Sequence, residues 1–255
     1  MKKSLFTIIS LVLLLSVFST NALAAKAEEN IGEELSQEFI RIAKENPSNE
    51  ELINALSQEG WELVSHTPSI SPKVAEPAGC VSLDHLVFTK TSGGVTKYQY
   101  RVRWEWETTS TCKPNSGSGK VVDLLAAGVV DEKGNSVNVQ AENPTIAVYD
   151  QSNVPYPYNG GASDIFNSGV TFTITDGFDD SSYIGSTGFV IFGSNKPSSG
   201  KTYYLKSKYI HTSASSNVSV KEFKIAYPWA VSLSFSGSKT VDQLEKVQQT
   251  VISYN

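Results

Sequence analysis

Methionine occurs once, cysteine twice and histidine three times in 255 residues. Two cysteines with no CxxC spacing, Cys80 and Cys112, make no zinc site. The three histidines, His66, His85 and His211, are scattered and form no HExxH pair. GxSxG, the P-loop and the dinucleotide-binding fingerprint are absent as well. No catalytic residue is assigned, and the balance lies against an enzyme. Beyond residue 25 no apolar run approaches the ~20 residues of a membrane-spanning helix. No period of 20–50 residues repeats. Net charge is only −5, and after residue 62 sixteen basic residues balance sixteen acidic ones, which speaks against a nucleic-acid partner.

What is present begins with a secretory pattern. Lys2 and Lys3 precede an apolar run from Leu5 to Phe18, followed by Ala22-Leu23-Ala24 with Ala25 as a second small residue. This order of charge, apolar stretch and small-x-small site marks a signal peptide over residues 1–25, cleaved near Ala24 or Ala25. No cysteine is available there for lipid attachment, and the tail Val-Ile-Ser-Tyr-Asn carries no sorting motif. The expectation is a secreted, extracellular protein without a covalent anchor. In that compartment Cys80 and Cys112 read as one disulfide. The loop it closes is worth roughly 3–4 kcal/mol in the chain-entropy model.

Residues 26–66 form an acidic segment with ten glutamates against Lys26, Arg41 and Lys44. Ile31, Leu35, Phe39 and Ile42 recur at helical spacing. Asn46-Pro47 interrupts, Ser48 with Glu51 makes a capping box, and Gly60 suits a helix end. An amphipathic helical hairpin packed on the rest of the chain is expected. The alternative reading is an acidic cover over a basic functional surface. Residues 67–79, with Pro68, Pro72 and Pro77, read as a linker.

Residues 80–255 carry the period of two. In Lys97–Glu107 the residues Tyr98, Tyr100, Val102, Trp104 and Trp106 alternate with Gln99, Arg101, Arg103, Glu105 and Glu107. That pattern predicts a strand with one buried and one wet face. With Val81–Phe88 and the turn Thr91-Ser92-Gly93-Gly94 it makes a hairpin. A second hairpin is expected from 121–130 and 136–140. Further strands follow near 146–149, 170–174, 189–192, 203–211, 218–225 with a bulge near Lys221-Glu222, and 231–235. Val241, Leu244, Val247 and Val251 suggest a short final helix. The expected fold is mainly β: an antiparallel β-sandwich with a short N-terminal helical hairpin.

Several residue groups are candidates for chemistry. Tyr149, Tyr156 and Tyr158, the last two held apart by Pro157, could stack on sugar rings of a cell-wall or other polysaccharide. Lys201, Lys206, Lys208, Lys221 and Lys224 could form a basic patch for an anionic polymer or a peripheral membrane contact. Asp176, Asp179 and Asp180 crowd together and could hold calcium; no other cofactor is implied. Glu105 and Glu107 could stand at a glycosidase separation, though Arg101 and Arg103 make ion pairs the more natural use. Each histidine reads first as a structural one.

Gly169-Val170-Thr171-Phe172-Thr173-Ile174-Thr175-Asp176 and Lys208-Tyr209-Ile210-His211-Thr212-Ser213 resemble the GVxFxxxD and KYxHT strands of a group of secreted proteins from Gram-positive bacteria. The strand ending Trp104-Glu105-Trp106 is similar to theirs too. The resemblance spans roughly Cys80 to Phe235. It implies a β-rich extracellular fold, implies no catalytic residue, and draws attention to His211. The leading expectation is a non-enzymatic extracellular binding module for polysaccharide. The alternatives are a membrane-active, toxin-like β-protein using Thr171–Thr175 and Ser215–Val220, and a secreted hydrolase.

Overall fold

The computed structural model describes residues 25–68, 80–106, 121–157, 162, 164–179, 182–195, 202–212, 219–226, 230–236 and 243–254. Residues 1–24 of the expected signal peptide and 69–79 of the expected linker therefore lie outside the described residues; Thr67 instead ends a strand. Helix α1 covers residues 25–45 and α2 covers Asn49–Gln58. The strands are β1 Glu62–Thr67, β2 Val81–Ser92, β3 Val95–Trp106, β4 Val121–Asp131, β5 Glu142–Asp150, β6 Pro155–Tyr156, β7 Asp164–Phe166, β8 Gly169–Asp179, β9 Ser182–Asn195, β10 Thr202–Thr212, β11 Ser219–Ala226, β12 Ala230–Ser236 and β13 Gln243–Ser253.

The expected capping box opens α2. The Ser48 hydroxyl accepts from the Glu51 N–H at 3.3 Å and donates to the Glu51 carboxylate at 2.7 Å. Gly60 takes φ +82°, the left-handed conformation a helix end uses. β2 and β3 form the predicted hairpin, with Val81 opposite Trp106 and Ser92 opposite Val95. Its turn places Gly93 and Gly94 at φ +56° and +82°, a conformation that costs glycine little.

Every pairing among the described residues is antiparallel, and the chain is a β-sandwich carrying a short helical hairpin. The main sheet runs β1-β2-β3-β9-β8-β4-β10-β13, with β5 and β6 joined to β9 and β7 to β8. It folds over a single apolar core. One layer supplies Leu83, Val87, Tyr100, Val102, Trp104, Val190 and Phe192; the other supplies Leu125, Val129, Val170, Phe172, Leu205, Tyr209 and Ile252. β8 passes between the layers, pairing with β4 at one end and with β9 through residues 177–179. At the open end β13 lies against β1 and β2, and the Ser65 hydroxyl donates to the Val251 carbonyl at 2.8 Å.

The aromatic side of β3 lies in this core as expected. Trp104 is fully buried, donates its indole N–H to the Gly185 carbonyl at 3.0 Å, and stands opposite Gly188. A Cβ at Gly188 would come within 2.4 Å of the indole ring and of the Ala147 carbonyl, so only glycine fits. The polar side of β3 is dry at Gln99 and Arg101 and wet only toward Glu105. The helical hairpin covers it, and Phe39, Leu52, Leu56 and Trp61 pack with Leu86, Phe88, Phe189 and Ile191 of the outer face. Arg101 and Gln99 are fully buried in that second interface.

Three local expectations are corrected. Residues 136–140 form no strand; only an isolated bridge joins Val130 and Ser136. Asp176 and Asp179 lie within β8, not in a turn. The expected final helix is the strand β13, paired along its length with β10. β10 offers a row of backbone partners, and its ladder outweighs the helical spacing of Leu244, Val247 and Val251.

Trp104→Ala should cost about 3–5 kcal/mol of unfolding free energy in urea titration, as for large-to-small changes in a closed core. A loss below about 1 kcal/mol would mean the indole is not packed as described.

Candidate functional site

Two features stand out from the frame: a polar layer beneath the helices, and a hairpin outside the sandwich. The polar layer is built on the outward positions of β2 and β3. Lys90 is bound by the Glu38 carboxylate at 2.7 Å, and the same carboxylate accepts from the Trp61 indole at 3.1 Å. Gln99 donates to the Ser36 hydroxyl at 3.0 Å. The Arg101 guanidinium donates to the Asn49 side chain and the Pro47 carbonyl and lies 4.5 Å from the centre of the Phe189 ring. Burial lowers its pKa to about 9, still high enough to leave it charged at neutral pH. Arg103 bridges Glu105 at 2.6 Å and Asp84 at 3.8 Å. Lys97 pairs with Glu142 and donates to Asn195 at 2.9 Å, beside a cleft of about 390 Å³ whose Glu33 accepts from Asn143 at 2.8 Å. An acidic hairpin thus lies over a face bearing four cations. Each of those cations is engaged by a fold contact, so the layer works as a clamp.

The second feature lies between β10 and β13. Those strands pair from Thr202 opposite Ser253 out to Thr212 opposite Gln243. Seven residues further along each strand, Ser219 stands opposite Ser236 in the β11–β12 ladder. The two ladders therefore share one register. Beyond the predicted bulge, which falls between Val220 and Glu222, the pairing continues to Ala226 opposite Ala230. Directly opposed residues share a face. One face carries Val220 with Phe235, Phe223 with Leu233, and Ile225 with Val231. The other carries Ser219 with Ser236, Glu222 with Ser234, Lys224 with Ser232, and Ala226 with Ala230. Among the described residues this hairpin is a separate two-stranded sheet.

The structure disperses the residues singled out from the sequence. Tyr149 is buried at 4 % exposure against Phe189, so it presents no ring face to a sugar. Tyr156, in the neighbouring β6, is 37 % exposed, and Tyr158 lies outside the described residues. Lys206 and Lys208 are buried on β10, with burial lowering the Lys206 pKa to about 8. Lys221 sits at the bulge of β11 and Lys224 on its polar face, while Lys201 is outside the described residues. The five lysines do not form one described patch. Asp180 and Glu107 are likewise outside the described residues. No metal-sized group of His, Cys, Asp or Glu occurs among the described residues. Cys80 is buried just before β2, and Cys112 lies outside the described residues. Thr171–Thr175 belongs to β8, whose Val170, Phe172 and Ile174 are core, and residues 215–218 of Ser215–Val220 lie outside the described residues.

His85 is where the sequence said least. Its ring nitrogens lie 2.8 Å from the Thr250 hydroxyl on β13 and 2.6 Å from the Ser207 hydroxyl on β10. It ties β2 to both strands of the opposite layer at full burial. Burial pushes its pKa down to about 3, so it is neutral at pH 7. Alternation in β2 indicated that it could face the core; nothing local indicated its partners. His66 lies exposed on β1, and the backbone of His211 stands opposite Leu244.

Compared with protein-family models and with curated proteins, the chain matches none.

The His85 geometry gives a pH dependence. Its folded pKa, about 3, lies below the unfolded value of 6.5. The unfolded chain therefore takes up a proton that the folded chain refuses, and stability falls by about 1.4 kcal/mol per pH unit as pH drops from 6.5 toward 3. His85→Gln removes that contribution. Urea unfolding at pH 7 and pH 4.5 should show a smaller acid loss in the variant; equal losses would contradict the assignment.

Proposed function

We propose that the chain is a secreted, disulfide-bridged, non-enzymatic protein that acts outside the cell on a lipid bilayer, with the β11–β12 hairpin as the element that meets the lipid. The observation that carries this reading is the register of the hairpin. Three alternate cross-strand pairs put six apolar residues on one face, and serines with Glu222 and Lys224 on the other. Alternation of this kind is how a strand faces hydrocarbon on one side and water on the other. Moving six such side chains into lipid contributes on the order of 9–18 kcal/mol before ordering costs. Secretion is supported by the charged, apolar and Ala-x-Ala order of residues 1–25. The Cys80–Cys112 bridge follows from that compartment. The resemblance to secreted Gram-positive proteins agrees with both.

The polysaccharide reading retains one described ring, Tyr156, half-exposed on β6. The hydrolase reading loses support, because Glu105 is drawn onto Arg103 at 2.6 Å.

The test is co-sedimentation of residues 26–255 with phosphatidylcholine vesicles, with and without phosphatidylserine, and with cell-wall sacculi. Pelleting with vesicles is expected, with weak dependence on salt because the hairpin residues 219–236 carry only Lys221, Lys224 and Glu222. Leu233→Arg should weaken binding to phosphatidylcholine vesicles by about 100-fold, following the ~2–4 kcal/mol scale for an Arg or Lys on the lipid face. Its urea midpoint should stay unchanged, since β11 and β12 pair only with each other among the described residues. Binding to sacculi that Tyr156→Ala abolishes, without vesicle binding, would replace this reading by the polysaccharide one.

A further inference from the structure

Resting on that reading, we infer that the outer face of β2, β3 and β9 is a second contact surface, fitted to the phosphate groups of an anionic bilayer, and that the helical hairpin is the lid that covers it in water. Arg101 stands at the middle of that face, between Leu86 of β2 and Ile191 of β9 in the ladders. Its guanidinium is fully buried, yet both of its acceptors are neutral, the Asn49 side chain and the Pro47 carbonyl. Among the described residues it forms no ion pair, and its Nε has no hydrogen-bond partner. Gln99 Oε1, on the same face, is also without a partner among them. A charge buried without a counter-ion is costly, and an apolar side chain of similar volume in its place is often neutral or stabilising. A packing rule broken at one position points to a group used in another state. The guanidinium fork matches the oxygens of a phosphate.

The lid has a single covalent tie once the signal segment is removed. α1 and α2 end at Gln58, and the chain enters β1 through Gly60, which is exposed, at φ +82°, with nothing within 4 Å of where a Cβ would stand. Residues 26–60 hold nine glutamates against Lys26, Arg41 and Lys44, a side-chain charge of −6. An anionic surface repels such a lid and attracts cations beneath it. Lifting the lid strips Glu38 from Lys90 and both acceptors from Arg101, while Lys97 keeps Glu142 and Arg103 keeps Glu105. The two freed cations lie on a face that also carries Leu86, Phe88, Phe189 and Ile191. In water these side chains hold the lid shut, because opening would wet them. Against a bilayer they pass from the helices to lipid. Trp61, at the start of β1, stays beside Lys90, whose ammonium lies 5.8 Å from the centre of its ring. Apolar side chains bordered by tryptophan and basic residues suit the headgroup layer.

The test compares the mature chain on phosphatidylcholine vesicles, which report the bilayer reading alone, with phosphatidylcholine–phosphatidylserine vesicles. Binding should be tighter on the anionic vesicles, and hydrogen exchange over α1 and α2 should speed there while β3 stays protected. Arg101→Met should weaken the anionic binding about fivefold, the scale for one basic residue at such a surface, and should hold or raise the urea midpoint. A residue kept for the closed fold alone would lower the midpoint and leave binding unchanged. Glu33 and Asn143, whose side chains meet at 2.8 Å, offer a way to tie the free end of the lid to β5. Glu33→Cys with Asn143→Cys, joined by a short bis-maleimide, should lose the excess on phosphatidylserine that the unlinked double variant keeps. Equal binding to the two vesicle types, or linked and unlinked proteins that behave alike, would overturn the lid, and binding to phosphatidylcholine would leave the bilayer reading intact. Failure to bind either vesicle would overturn both.

Discussion

The fold is arranged around burying both faces of β3 from Lys97 to Val102. On one side Tyr100, Trp104 and Trp106 fill the space between the two layers, and Trp104 is so closely packed that Gly188 can have no side chain. On the other side Gln99 and Arg101 go dry under the helices. A buried guanidinium is tolerable only with acceptors, and Asn49 and the Pro47 carbonyl, at the joint between α1 and α2, supply them. The break between the helices therefore has a second use. Asn46-Pro47 stops α1, and the carbonyl it leaves outside the helix becomes a ligand of the central strand.

The layers meet through a small set of polar ties inside an apolar core. His85 reaches Ser207 and Thr250, Trp106 donates to the Tyr209 hydroxyl at 3.1 Å, and Tyr100 meets the Tyr254 hydroxyl at 2.6 Å. Burial raises the Tyr100 pKa to about 12, so its hydroxyl stays protonated and available as a donor. Each tie runs from the layer under the helices to β10 or to the chain end around β13. Those two strands lead into the β11–β12 hairpin, in the same register. The hairpin itself shares no described ladder with the sandwich.

Much of this was legible in the residues. The aromatic alternation of β3, the Gly93-Gly94 turn, the Ser48 capping box and the bulge after Val220 are local matters of backbone geometry and period, and local sequence states them. The amphipathic hairpin was partly legible. Val231, Leu233 and Phe235 alternate with serines plainly, but pairing them with Val220, Phe223 and Ile225 required the bulge to be placed. Two of the tyrosine and lysine candidates misled for one reason: residue type does not report depth. Tyr149 and Lys206 carry surface-capable groups and are both buried.

By itself the sequence determined the alternation of β3, the turn after β2, the cap of α2 and the secretory pattern at its start, because these depend on neighbours a few residues away. Only the tertiary structure decided that the charged face of β3 is covered, that residues 243–253 pair with β10 instead of coiling, and that His85 finds partners 122 and 165 residues distant. Those outcomes turn on which surfaces meet when the sheet folds over. A period of two says that a face is uniform; it does not say what will lie against it.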